Sequence, residues 1–216
     1  GVDSSIQDAA GNDANIYTDA IVDTTNTVEV DAVIPEVSSV SIIGHDNSGA
    51  ATNDILVEND QIHVTVTMSE AVTVSGDLTY SIDVGGISKT ASYDAAVSSS
   101  TDLVFVYMVE ENDVDSVAGI TASANSLALG VDSSIQDSAG NDANIYTDAI
   151  VDTTNMIEVD AAIPEVSSVT ISGHDNNGAA TNNILVENDQ IHVTVTMSEA
   201  VMVSGDLTYS IDIGGI

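Results

Sequence analysis

The sequence predicts an all-β protein made of β-sandwich domains in tandem, and three observations carry that prediction. Apolar residues alternate with period two, and no segment sustains the 3.6-residue period of an amphipathic helix. The connections are clusters of Gly, Asn, Asp and Ser, such as GHDNSGAATND, VSGD, VGG and DSAGND, which supply positive φ and side-chain-capped turns. The chain also repeats itself: GVDSSIQDAAGNDANIYTDAIVDTT from Gly1 returns as GVDSSIQDSAGNDANIYTDAIVDTT from Gly130, and residues 1–87 align with 130–216 without a gap and with ten differences. A period of 129 residues is too long for a solenoid unit, so each repeat is expected to be a whole domain.

The strands follow in order. VSSVSII (37–43) opens the complete unit. QIHVTVTM then places Ile62, Val64, Val66 and Met68 on one face and His63, Thr65 and Thr67 on the other, and LTYSIDV repeats the pattern with Leu78, Tyr80, Ile82 and Val84. Further strands are expected at ISKTASY (87–93), DLVFVYMV (102–109), GITAS (119–123), SLAL (126–129) and NIYTDAIVD (144–152). Short strands in this number, joined by such turns, mean a sandwich. Pro35 and Pro164 sit one period apart, and proline favours the first residue of a strand or a linker. The domains are therefore read as the C-terminal part of a preceding repeat (1–34), a complete repeat (35–163) and the N-terminal part of the following one (164–216). The ends are expected to be a window on something longer, with any secretion signal outside it.

Composition narrows the function. Of 216 residues 35 are acidic, Lys89 is the sole lysine and there is no arginine, so the formal charge is −34. Such a polyanion gains nothing from phosphate counterion release, which excludes nucleic acid as a direct partner and disfavours an anionic membrane surface. No apolar run approaches the roughly 20 residues of a membrane span, so direct insertion is not expected. The chain is still 43% hydrophobic, so it is expected to fold around an aliphatic core; it has one Phe and no Trp. With no cysteine, disulfides, thiolate metal sites and cysteine nucleophiles are excluded. Cations are the natural partners.

The proline-led first strand, DQIHVTVTMSEAVTVSGDLTYSIDVGG (60–86), SLALGVDSSIQDSAGNDAN (126–144) and the closing VDTT together resemble the bacterial immunoglobulin-like tandem repeats of giant surface adhesins, including the calcium-stabilised extender modules of RTX-type biofilm adhesins. The resemblance covers the whole period. It implies immunoglobulin-like sandwiches in tandem, an extracellular or bacterial cell-surface location, neighbouring repeats of the same chain as partners, and Ca²⁺ as the bound ion. The linker VDTTNMIEVDAAIPE is longer than the joint usual in that family.

Calcium takes six to eight oxygens from carboxylates, carbonyls and amides, so acidic clusters in Asn- and Gly-rich loops are the candidate sites. In EENDVDS, Glu111, Asp113 and Asp115 alternate after Glu110 as in the opening of a D-x-D-x-D loop, although the closing glutamate of an EF-hand is missing. Asp137, Asn141 and Asp142 form a second cluster, repeated as Asp8, Asn12 and Asp13. A third spans Asp46, Asn47, Asp54, Glu58 and Asp60, and the linker adds Asp152, Glu158, Asp160 and Glu165. In an immunoglobulin order, Glu70 and the 137–142 loop lie at the pole where the chain comes in, beside Asp31 and Glu36; the 44–60 and 110–115 loops lie at the other pole, beside Asp148 and Asp152. Each joint would then gather acidic loops of two domains around an acidic linker. The bland alternative is a set of solvated acidic loops that keep a secreted protein soluble.

The leading functional expectation is a structural extender of an adhesin, because a spacer gains from copy number whereas a catalytic domain rarely needs adjacent copies. A loop-based binding module is a second reading, against which the scarcity of aromatics counts for sugar ligands. A self-assembling filament or surface-layer subunit is a third, since 1–34 and 164–216 are complementary parts of one sandwich that lack 88–129. Enzymatic activity is not expected.

Overall fold

The computed structural model describes residues 5–15, 28–116, 119–146, 155–182 and 184–214. The chain divides into two compact units, Gly1–Val33 and Ile34–Ile216. In the first, Gln7 bridges Asp13 across a turn closed by Asp8.

The second unit is all-β, with no helix among the described residues. Its strands are β1 (Val37–His45), β2 (Gln61–Met68), β3 (Thr73–Ser75), β4 (Leu78–Val84), β5 (Ile87–Tyr93), β6 (Asp102–Met108), β7 (Val114–Asp115), β8 (Leu127–Leu129), β9 (Ser134–Gln136), β10 (Val159–Asp160), β11 (Val166–His174), β12 (Ala180–Thr181) and β13 (Gln190–Met197). An antiparallel six-stranded sheet runs β1-β2-β6-β5-β4-β8; the two-stranded pairs β3-β9 and β10-β7 accompany it, and β12-β11-β13 forms a separate sheet. The period-two reading holds residue by residue. Ile62, Val64 and Val66 are fully buried and Met68 nearly so, as are Leu78, Tyr80, Ile82 and Val84 on β4. The lone Phe, Phe105, is fully buried on β6, its ring 5.7 Å from that of Tyr80 and 5.8 Å from that of Tyr93.

The β4–β5 hairpin shows why its turn reads GG. Val84 pairs with Ile87, leaving Gly85 and Gly86 as a two-residue loop with φ of 60° and 87°, and positive φ at both positions is what a hairpin matching the strand twist requires. A Cβ at Gly85 would also overlap the Val114 carbonyl oxygen. The tight turn is thereby seated against β7.

Three departures from the sequence reading concern short elements. The stretch before Pro164 is not a free linker: β10 pairs with β7, Leu56 N–H donates to Glu158 O and Asp160 N–H to Leu56 O, and Val159 and Ala161 lie in the core. GITAS contributes a single bridge, Thr121 to Asp83, among its described residues. NIYTDAIVD lies mostly outside the described residues. The start of the following repeat copies the first faithfully, since Val169 pairs with Val195 as Val40 pairs with Val66, with the same irregularity at its start.

Candidate metal centre

The acidic turns are built by their own carboxylates. Asp137 accepts the N–H groups of Ala139 and Asn141, both at 2.8 Å, and the Asn141 side-chain amide at 2.7 Å. Asp8 makes the same three bonds to Ala10 and Asn12, so D-x-A-G-N is a side-chain-capped turn in both copies. Asp142 accepts from Gln136, as Asp13 does from Gln7. Asp46 receives the Ser48 hydroxyl and the N–H groups of Ser48 and Ala50. The bonding amide of Asn141 holds Asp137 below the ordinary carboxylate pKa, and the Ser48 hydroxyl does the same for Asp46. Asp54 accepts from Thr52, and buried Asp60 takes the Val57 N–H.

The 110–115 loop separates residues that the alternating pattern groups together. Glu111 is exposed. Asp113, 5% exposed, lies 2.6 Å from Lys89 Nζ and accepts the Tyr107 hydroxyl and the Glu110 N–H. Burial works to raise the Asp113 pKa, but the Lys89 ammonium and the Tyr107 hydroxyl outweigh it and the net shift is downward. Tyr107 is pushed up to about 12, first by burial and then by its bond to Asp113. Asp113 is therefore neutralised within the chain. Asp115, also buried, accepts the Gly85 N–H and anchors the GG turn. Read from the sequence, Lys89 is a salt-bridge or solvent-facing residue with no partner named, one cation among 35 acids; the fold gives it Asp113 and Glu110.

Carboxylates gather at two places. At the pole where Pro35 lies, an oxygen of Glu70 and one of Asp137 come within 4.8 Å of each other, and Glu70 Oε1 is buried without a hydrogen-bond partner. At the opposite pole lies a cleft of about 390 Å³. Asp115 of β7, Glu158 and Asp160 of the β10 segment and Glu199 of the following repeat all line it, beside the apolar Ile55, Val114 and Ile163. Glu199 is the repeat copy of Glu70, and Asp160 that of Asp31. The two poles thus display parts of one repeating arrangement: a glutamate from S-E-A, an aspartate from D-x-A-G-N and an aspartate just before the proline. Asp31 itself belongs to the first unit, where it accepts the Val33 N–H. Asp148 and Asp152 lie outside the described residues.

A histidine pair occupies the polar face of the sheet. The rings of His45 and His63 stack at 3.8 Å, those of their copies His174 and His192 at 3.9 Å; His63 Nε2 donates to Gln61 Oε1 at 2.8 Å. Burial lowers the His63 pKa, and the neighbouring His45 adds to that while Asp94 opposes it. A base with a depressed folded pKa contributes stability that is complete above its unfolded value of about 6.5 and is lost as pH falls through the folded value. We expect the His63 ring to titrate below 6.5 in an NMR pH series and to move upward in His45→Ala; a midpoint at or above 6.5 in the unaltered chain would refute the assignment.

No protein-family model matches this chain, and neither a curated protein nor a solved structure does.

Proposed function

We propose that this chain is a run of immunoglobulin-like extender repeats from a secreted or cell-surface bacterial adhesin, stiffened by Ca²⁺ at its joints. The observation that carries this reading is the cleft before Pro164, which Asp115, Glu158, Asp160 and Glu199 line from two successive repeats. Carboxylate oxygens suit a hard dication, and their supply from several segments suits the larger and more flexible coordination shell of calcium over magnesium. Carboxylates that repel across an empty cleft become ligands once a dication lies between them. The buried, unpartnered Glu70 Oε1 beside Asp137 supports the same role at the pole of Pro35. Near-identical successive repeats support a spacer over an enzyme, because reach grows with copy number. A nine-residue strand such as β1 spans about 30 Å at some 3.3 Å per residue.

Calorimetry and small-angle scattering test the proposal together. Calcium is expected to bind and, at about 100 times its Kd, to stabilise the chain by about 2.7 kcal/mol, while scattering in chelator shows a broader range of interdomain angles. Glu199→Gln with Asp160→Asn should abolish the stiffening at this joint and leave the sandwich intact. Scattering profiles identical in calcium and in EGTA would sink the reading.

A further inference from the structure

The same turn occurs twice in this chain, and one substitution between the copies changes its chemistry. In the first copy Asp46 N–H donates to Ala50 O and Gly49 N–H to Asp46 O at 2.8 Å, and the Ser48 hydroxyl donates to Asp46 Oδ1 at 2.6 Å. The second copy keeps the backbone bonds. Asp175 N–H donates to Ala179 O and Gly178 N–H to Asp175 O at 2.8 Å, while the Asn177 and Ala179 N–H groups donate to Asp175 Oδ1. Asn177 stands at the position of Ser48, however, and Asn177-Gly178 is the sole Asn-Gly pair among the 216 residues. Such a pair is reactive for a steric reason. The amide carbon of an asparagine side chain can close a five-membered ring with the backbone nitrogen of the next residue, and a glycine there leaves that nitrogen unshielded by a Cβ.

We propose that Asn177 is a site of spontaneous covalent modification, converting to aspartate and isoaspartate in the second copy of the turn and not in the first. The Gly178 nitrogen attacks Asn177 Cγ; its proton and the Nδ2 amino group leave as ammonia, and the new N–Cγ bond closes a succinimide. Water then opens the ring. Hydrolysis at the Cγ carbonyl restores the backbone with an aspartate side chain, and hydrolysis at the backbone carbonyl leaves the chain running through Cγ as isoaspartate. Water is the only co-reactant. The reacting atoms are open to it: residues 176–180 are exposed, Gly178 has φ of 82°, and a Cβ built on it would meet nothing within 4 Å. Ring closure must break the Gly178 bond to Asp175 O, and the element below offers little resistance. There β12 is two residues long, pairing Gly173 with Thr181 and His174 with Ala180, and short exposed elements open at low free-energy cost. The products act back on the turn. A carboxylate at position 177 repels Asp175 two residues away, and isoaspartate adds a backbone atom between Asp175 and Gly178, which removes their bond. The turn of the second copy therefore loosens with age while that of the first persists.

Mass spectrometry of the full chain, incubated folded in mildly alkaline buffer and then cleaved at its glutamates, tests this. The peptide holding Asn177 should gain the single mass unit that separates a carboxyl group from a carboxamide. It should appear as two chromatographic products, the isoaspartyl one a substrate for protein isoaspartyl methyltransferase. Conversion should run at least tenfold faster than at Asn47, which precedes a serine, and should slow in mildly acidic buffer because the attacking nitrogen must shed its proton. Asn177→Ser should abolish it, and Ser48→Asn, which sets an asparagine before Gly49, should bring it to the first copy. An Asn177 that stays intact in the folded chain, that converts only after unfolding in urea, or that converts no faster than Asn47 would each overturn the proposal, as would a Ser48→Asn chain inert at position 48.

Discussion

Lys89→Met is expected to destabilise the fold by about 3–5 kcal/mol, because it leaves a buried carboxylate without its counter-charge. Asp113 is 5% exposed and Lys89 approaches it at 2.6 Å, with the Lys89 side chain itself only 18% exposed. A buried ion pair is worth no more than a well-packed apolar pair, so the loss comes from orphaning Asp113 and not from the intrinsic worth of the bridge. Lys89→Met with Asp113→Leu should therefore recover most of the stability, and Asp113→Asn in the Lys89→Met background should recover part of it. Urea melts of the four chains decide the matter: a single variant within 1 kcal/mol of the unaltered chain would show that Asp113 finds water or another partner. The pair also sets an alkaline limit. Lys89 is held charged by Asp113, its bond to Tyr107 adding to this, and its pKa is raised; Tyr107 is raised to about 12. Both contributions are complete below the unfolded values near 10 and are lost as pH climbs through the folded ones.

How much of this was legible depends on the length of each element. In QIHVTVTM four alternations specify both the strand and its buried face, and the observed bounds, 61–68, are those of the pattern. LTYSIDV behaves alike, whereas ISKTASY matches in its bounds, 87–93, with Ala91 its one buried residue. The pairs β3-β9 and β7-β10 have two or three residues per strand, too few for a period to declare itself. Val159 and Ala161 were hidden for a second reason: they alternate with Glu158 and Asp160, so an edge strand of the core reads as an acidic linker. Among the candidate ligands, sequence spacing treats Glu111, Asp113 and Asp115 as equivalent. Burial and long-range pairing separate them: Glu111 faces solvent, Asp113 is paired with a lysine 24 positions upstream and Asp115 is bonded to a glycine 30 positions away. Conversely, the convergence of Asp115, Asp160 and Glu199 spans two repeats. The tandem repeat pointed to such a joint, but only a folded chain shows which carboxylates face it.

Leu56→Ala is expected to cost about 3 kcal/mol and to loosen the joint as well as the core. Its side chain is fully buried, and its backbone holds β10 in place from both sides, accepting from Asp160 and donating to Glu158. Truncation leaves a cavity under Val159, and the segment that leads to the acidic cleft then has one fewer apolar contact to keep it docked. Hydrogen exchange should report this locally, with protection of the Leu56 and Asp160 amides falling by more than that of β2 or β6. Gly44 supplies the control, since a Cβ there would stand 3.2 Å from Leu56 Cδ2. Gly44→Ala is therefore crowded in the unaltered chain and accommodated once Leu56 is shortened, so the two substitutions should be non-additive, the double variant being more stable than the sum of the singles predicts. Strict additivity, or uniform loss of protection across the sheet, would mean that Leu56 serves the core alone and that the joint is held by other contacts.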